Sequence, residues 1–106
     1  MSKAMELILL ARRMTASEAL QYGIVHEVVP VGQSIARAKA LATKMMEAGP
    51  IALRQAKLAI RGGMDRPLDQ ALQWEVERYK DCLYSKDRIE GLKSFAEKRK
   101  PQYTGQ

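Results

Sequence analysis

One cysteine and one histidine in 106 residues leave little material for thiol or metal chemistry. Cys82 has no second cysteine to pair with inside the chain and no metal-ligand spacing around it, which favours a reduced, intracellular setting and an ordinary helix residue. His26 sits beside Glu27 with no serine or cysteine at a suggestive spacing, so a structural role is its default reading. No Gly-x-Gly-x-x-Gly or Walker-type loop occurs, and "RGGM" reads as a helix stop. Glu75 and Glu77 lie two apart on one helical pattern and so cannot face each other as an acid/base pair. On these grounds no catalytic residue and no metal ligand is nominated. The apolar stretch in "MSKAMELILLARRMTASEA" is too short and too interrupted to span a bilayer, and no small-residue cleavage site follows it; the expectation is a soluble protein, cytoplasmic or, in a eukaryote, mitochondrial. A chain of this length is one domain at most, able to bury a modest core without staples.

What is present is basic charge and helical punctuation. The 18 Lys and Arg against 12 Asp and Glu give +6, which suits an anionic partner without choosing one. Residues Ala4 to Ala11 are apolar but for Glu6, as expected of a helix buried on more than one side. Thr15 and Glu18 have capping-box spacing, and Gly23 can close the helix they open. "IVHEVVP" is rich in β-branched residues and ends at Pro30, which predicts a short extended piece near residues 24–29 whose pairing partner is not obvious in the chain. From Ser34, the positions Ile35, Ala38, Leu41, Ala42 and Met45 keep helical spacing until Gly49 and Pro50, and Pro50 suits a first helical turn. Leu53, Ala56 and Ile60 form the next stripe. Leu68, Leu72, Val76, Tyr79 and Leu83 predict about four helical turns, and Ile89, Leu92, Phe95 and Ala96 mark a last helix. The fold class is all-α with one short extended segment.

Aromatics among basic residues can stack on nucleic-acid bases, but Tyr79 and Phe95 belong to apolar stripes, which points first to a core or a subunit interface. Trp74 falls off the main stripe of its helix and is expected to pack against another element or subunit. The six methionines read as core filling rather than as an adaptable surface. Lys93, Lys98, Arg99 and Lys100 make a basic end that is either a solvated face or an anion site.

Three blocks, "AMELILLARRMTASEALQYGIVHEVVP", "GPIALRQAKLAI" and "SKDRIEGLKSFAEKRKPQY", resemble in order the C-terminal part of the enoyl-CoA hydratase/isomerase (crotonase) family. The run Glu90-Gly91, Phe95, Glu97, Lys98, Arg99, Lys100-Pro101 is the most specific part. The wording is nearest to short-chain enoyl-CoA hydratases and to methylglutaconyl-CoA hydratases that also bind AU-rich RNA. The resemblance implies that residues 1–106 are the helical C-terminal domain of the crotonase fold, with orthogonal helices, beginning inside the helix that follows the catalytic region. In the family an N-terminal domain of ββα repeats binds the CoA thioester, forms the oxyanion hole and carries two glutamates; none of those segments lies in these residues. A preorganised oxyanion hole commonly contributes about 10²–10³ in rate per donor and acid/base groups roughly 10²–10⁴, so the chain alone is expected to be inactive.

The resemblance further implies roles for three residues. The family's basic residue near the CoA nucleotide phosphates falls on Lys98, and the aromatic residues of that pocket fall on Phe95 and Tyr79. No covalently bound cofactor is implied; a CoA thioester is the substrate of the complete enzyme. Self-association as a trimer or hexamer is implied, with helices of this domain building the contacts, and neither a membrane nor nucleic acid is favoured as a partner. Lys93 and Arg99 keep the solvated-face reading. The competing reading is a small basic helical RNA-binding module, opposed by the alternation of acids with bases along the helices. The first reading predicts apolar stripes left bare.

Overall fold

A computed structural model describes residues 2–106 as six helices: α1 (Ser2–Leu9), α2 (Ala16–Gln21), α3 (Ser34–Met45), α4 (Pro50–Gly63), α5 (Leu68–Leu83) and α6 (Lys86–Ala96). The chain divides into two compact units, one ending at Ala38 and the other running Lys39–Gln106. No helix among the described residues is long and apolar enough to cross a membrane.

In the first unit, α1 ends at Leu9 and its apolar residues are not enclosed: Ile8, Leu9 and Leu10 are all at least 70% exposed. The expectation of a helix buried on more than one side is therefore wrong among the described residues, where that face is left bare. α2 starts with the full reciprocal capping box. Glu18 N–H donates to the Thr15 hydroxyl at 3.2 Å, and Thr15 N–H donates back to the Glu18 carboxylate at 2.9 Å. The helix closes at Gly23, whose φ of +69° costs glycine little. Residues 24–26 are bends and 27–30 are irregular, so the expected extended piece joins no strand ladder among the described residues. Arg37 of α3 pairs with Glu27 at 2.8 Å and ties this segment down.

In the second unit, Pro50 occupies the first turn of α4, where its missing N–H would have had no helical partner. α4 and α5 form an antiparallel pair, since Gln55 reaches Asp81 (2.7 Å) while Trp74, earlier in α5, donates its indole N–H to the Leu58 carbonyl further along α4 (3.0 Å). Gly62 makes this approach possible: a β-carbon there would lie 2.7 Å from Trp74 Cε2. α4 does stop at the "RGGM" glycines, Gly63 being its last residue, and Gly62 in addition leaves room for the indole. Guanidinium groups of Arg66 and Arg78 lie over the Trp74 ring, 4.7 and 4.5 Å from its centre. Trp74 packs against another element, as its off-stripe position suggested.

No hydrophobic side chain is buried among the described residues. The chain exposes 9146 Å², against roughly 6,000 Å² for a self-contained folded chain of this length. The modest core expected from length is absent. Its would-be members stand bare in stripes: Leu68, Leu72, Val76 and Tyr79 on α5, and Ile89, Leu92 and Phe95 on α6, are each more than half exposed. The methionine reading is corrected in the same way, with Met45, Met46 and Met64 exposed rather than filling a core.

Candidate functional site

The C-terminal end of the second unit is built around α6. Ser85 caps its start by accepting from Arg88 N–H at 3.2 Å. Its end is a Schellman turn: Lys98 N–H donates to the Phe95 carbonyl at 3.2 Å and Arg99 N–H to the Ser94 carbonyl at 3.0 Å. That geometry needs a left-handed residue in the middle, normally glycine, and here it is Lys98, with φ of +52°.

Beyond this turn the tail folds back on its own helix. Arg99 grips the Glu90 carboxylate with two nitrogens, Nη1–Oε1 at 2.5 Å and Nη2–Oε2 at 3.0 Å, while its Nε donates to Glu97 at 2.6 Å. Glu90 also accepts from Gln102 N–H at 2.8 Å. The Arg99 fork first, and the Gln102 N–H second, hold the Glu90 carboxyl down at about 2, against an ordinary 4.5. The two carboxylates hold Arg99 above its usual range. One turn earlier, buried Asp87 accepts from Thr104 N–H at 2.7 Å and from Gly105 N–H at 3.0 Å. Gly91 leaves room for Tyr103, whose hydroxyl would stand 3.3 Å from a β-carbon at that position. Arg99 stays on a solvated face, its side chain 37% exposed, and there its planar fork is matched by the carboxylates of Glu90 and Glu97.

Among the nominated residues, Phe95 and Lys98 come together at the end of α6, joined through the Schellman turn, and Phe95 is 87% exposed. Tyr79 stands elsewhere in the unit. It lines an apolar cavity of about 460 Å³ between α4 and α5, with Ala56, Ala59, Leu72, Val76 and Cys82. It also borders a second cavity of about 430 Å³ that reaches Leu92, Gly91 and Tyr103. Neither Phe95 nor Lys98 lines those two cavities. Burial raises the Cys82 thiol above its usual range, which keeps it an inert lining group. Among the described residues no cluster of three or more His, Cys, Asp or Glu is placed to hold a metal.

Sequence reasoning missed the clasp of Glu90, Arg99, Asp87 and Tyr103. Glu90 and Arg99 are nine apart, outside the three- and four-residue spacings by which helical pairs are read. Gly91 was noticed as part of a motif but not for the ring it admits.

The Enoyl-CoA hydratase/isomerase family profile matches residues 1–106. The methylglutaconyl-CoA hydratase of Mus musculus mitochondria is 40% identical over 110 residues, covering 100% of this chain and 35% of that protein. The short-chain-enoyl-CoA hydratase of Clostridium acetobutylicum is 36% identical over 100 residues, covering 94% and 38%. The crystal structure of an enoyl-CoA hydratase from Bacillus anthracis superposes with a TM-score of 0.95 at 44% identity, covering 100% of this chain and 41% of that one. The chain thus spans well under half the length of these relatives.

Proposed function

Since the chain belongs to the enoyl-CoA hydratase/isomerase family, we propose that residues 1–106 are its helical C-terminal domain, which builds assembly contacts and completes the CoA site. The observation that carries this reading is the combination of bare apolar stripes on α5 and α6 with a lysine held at the end of α6 beside an exposed phenylalanine. Apolar surface on this scale is stable only when something covers it. In this reading the cover is the catalytic domain and neighbouring subunits, in a trimer or hexamer. The Lys98 ammonium then meets the nucleotide phosphates of CoA as a point charge with three donors. Phe95 offers a flat apolar surface at the same end. Tyr79 faces the acyl side of the site through the α4–α5 cavity, and its hydroxyl biases the acyl groups accepted.

The complete enzyme, in this reading, adds water to a 2-enoyl-CoA thioester or shifts its double bond, with the enolate held by N–H donors outside these residues. The parts assigned to this chain are binding, orientation and exclusion of water; none of its residues is given a proton-transfer role. The compartment proposed is intracellular and aqueous.

Calorimetric titration of the chain with CoA tests the assignment. The expected outcome is binding that Lys98→Ala weakens about tenfold, as loss of one charge-assisted phosphate contact would, with no turnover of crotonyl-CoA above background. Unchanged CoA affinity in Lys98→Ala would remove the ligand role, and turnover by carefully purified chain would overturn the division of labour. A chain that ignores CoA but binds RNA, with affinity collapsing as salt rises, would support the basic RNA-binding module instead.

A further inference from the structure

Lys98 adopts a backbone conformation that an ordinary side chain resists. Such conformations persist only where the surroundings over-determine them, and here the surroundings are explicit. The preceding helix turn fixes Lys98 through the 3.2 Å bond to the Phe95 carbonyl. The following residue, Arg99, is anchored by Glu90 from inside α6 and by Glu97 from the turn itself. Gln102 N–H closes the loop on the same Glu90 carboxylate. Lys98 is thus bracketed on both sides by groups that do not contact its own side chain.

We propose that Glu90 and Arg99 are positioning residues for Lys98: their forked ion pair holds the left-handed turn and so fixes where the ammonium is presented to the phosphate end of CoA. This rests on the proposed role of Lys98 and goes beyond it, assigning a function to two charges that touch no ligand. Without the pair, Lys98 relaxes toward ordinary helical or extended backbone and its ammonium is spread over many positions. An anion then meets it at a higher ordering cost. The neutral arm of CoA, which does not use this charge, is indifferent to the change.

The test uses the full chain as wild type, Glu90→Gln, Arg99→Lys, Lys98→Gly and Glu90→Gln with Lys98→Gly. One readout needs no ligand: the three-bond amide to α-proton coupling of Lys98, which separates left-handed from helical backbone. The others are calorimetric affinities for CoA and for pantetheine, which lacks the nucleotide. Glu90→Gln is expected to shift the Lys98 coupling and to weaken CoA about threefold with pantetheine unchanged, and Arg99→Lys to fall between it and wild type. Lys98→Gly is expected to weaken CoA about tenfold, and adding Glu90→Gln to it to cause no further loss. A Glu90→Gln chain with unchanged Lys98 coupling and CoA affinity overturns the positioning role. An additive loss in the double variant overturns it too, by making Glu90 a general stabiliser. If Lys98→Gly leaves CoA affinity intact, it is the underlying assignment of Lys98 that fails.

Discussion

The ends of α1 and α6, one in each unit, are built alike. Each finishes in a Schellman turn with a non-glycine residue in the left-handed region, Ala11 at φ +47° and Lys98 at φ +52°. Each is followed by an arginine set between two glutamates, Arg12 with Glu6 and Glu18, and Arg99 with Glu90 and Glu97. The difference lies in how well each arginine is held. Arg12 reaches Glu6 only at 3.6 Å and its buried Nε finds no hydrogen-bond partner, whereas all three Arg99 nitrogens donate to protein oxygens. The residue in the strained position also differs, a methyl group in one and an ammonium in the other. Backbone strain by itself therefore marks a helix end; it becomes a functional sign only where the strained residue carries chemistry and its bracket is complete.

The largest test of this comparison is a glycine whose backbone angle is ordinary. If angle alone decided where glycine is needed, Gly62→Ala in α4 would be harmless or even helpful. The indole of Trp74 fills that space, and the substitution is expected to cost about 1–3 kcal/mol in denaturant unfolding despite the better helix propensity of alanine. Gly23→Ala, where space is open but φ is +69°, is expected to cost about 1 kcal/mol for the angle alone. Ala11→Gly, the reverse change at the matching turn of α1, is expected to gain about 0.5–1 kcal/mol and leave CoA affinity untouched. Equal loss of CoA binding in Ala11→Gly and Lys98→Gly would break the distinction between the two ends.

The smallest effect is with pH. Glu18 is held at about 2 by the Thr15 backbone N–H, then by Arg12, and Glu90 at about 2 by Arg99 and the Gln102 N–H. Both values are depressed from an ordinary 4.5, so the unfolded chain binds more protons as pH falls. Their stabilisation is present above about 4.5 and is lost progressively toward 2. The protection factors of the Thr15 and Gln102 amides, taken against the intrinsic rate at each pH, are expected to fall over that window before those in the middle of α5. Protection factors unchanged through it would contradict the role of these carboxylates.

Much of the helical order was legible. Thr15 with Glu18, Gly49 with Pro50, and the stripe from Leu68 to Leu83 each state a start, a stop or a period within a few residues. The left-handed turn at Gly23 could be read because glycine announces it; those at Ala11 and Lys98 could not, because neither residue type announces such a turn and the arginine after each pairs with a glutamate six or nine residues away. The bare stripes were expected from the family reading, and on α5 and α6 they stand bare. What failed was the modest core read from length, because periodicity tells which face wants cover and not whether this chain supplies it. Of the three residues nominated through the resemblance, Phe95 and Lys98 share a helix end, while Tyr79 lines a cavity between α4 and α5, the pair brought together where Gly62 meets Trp74.

The central claim is that these bare helical faces are assembly surfaces of a CoA-binding domain. The direct measurement is the solution mass of the purified chain by light scattering, with and without CoA. A trimer or larger multimer whose mass or stability responds to CoA is the predicted result. A well-folded monomer indifferent to CoA would contradict it.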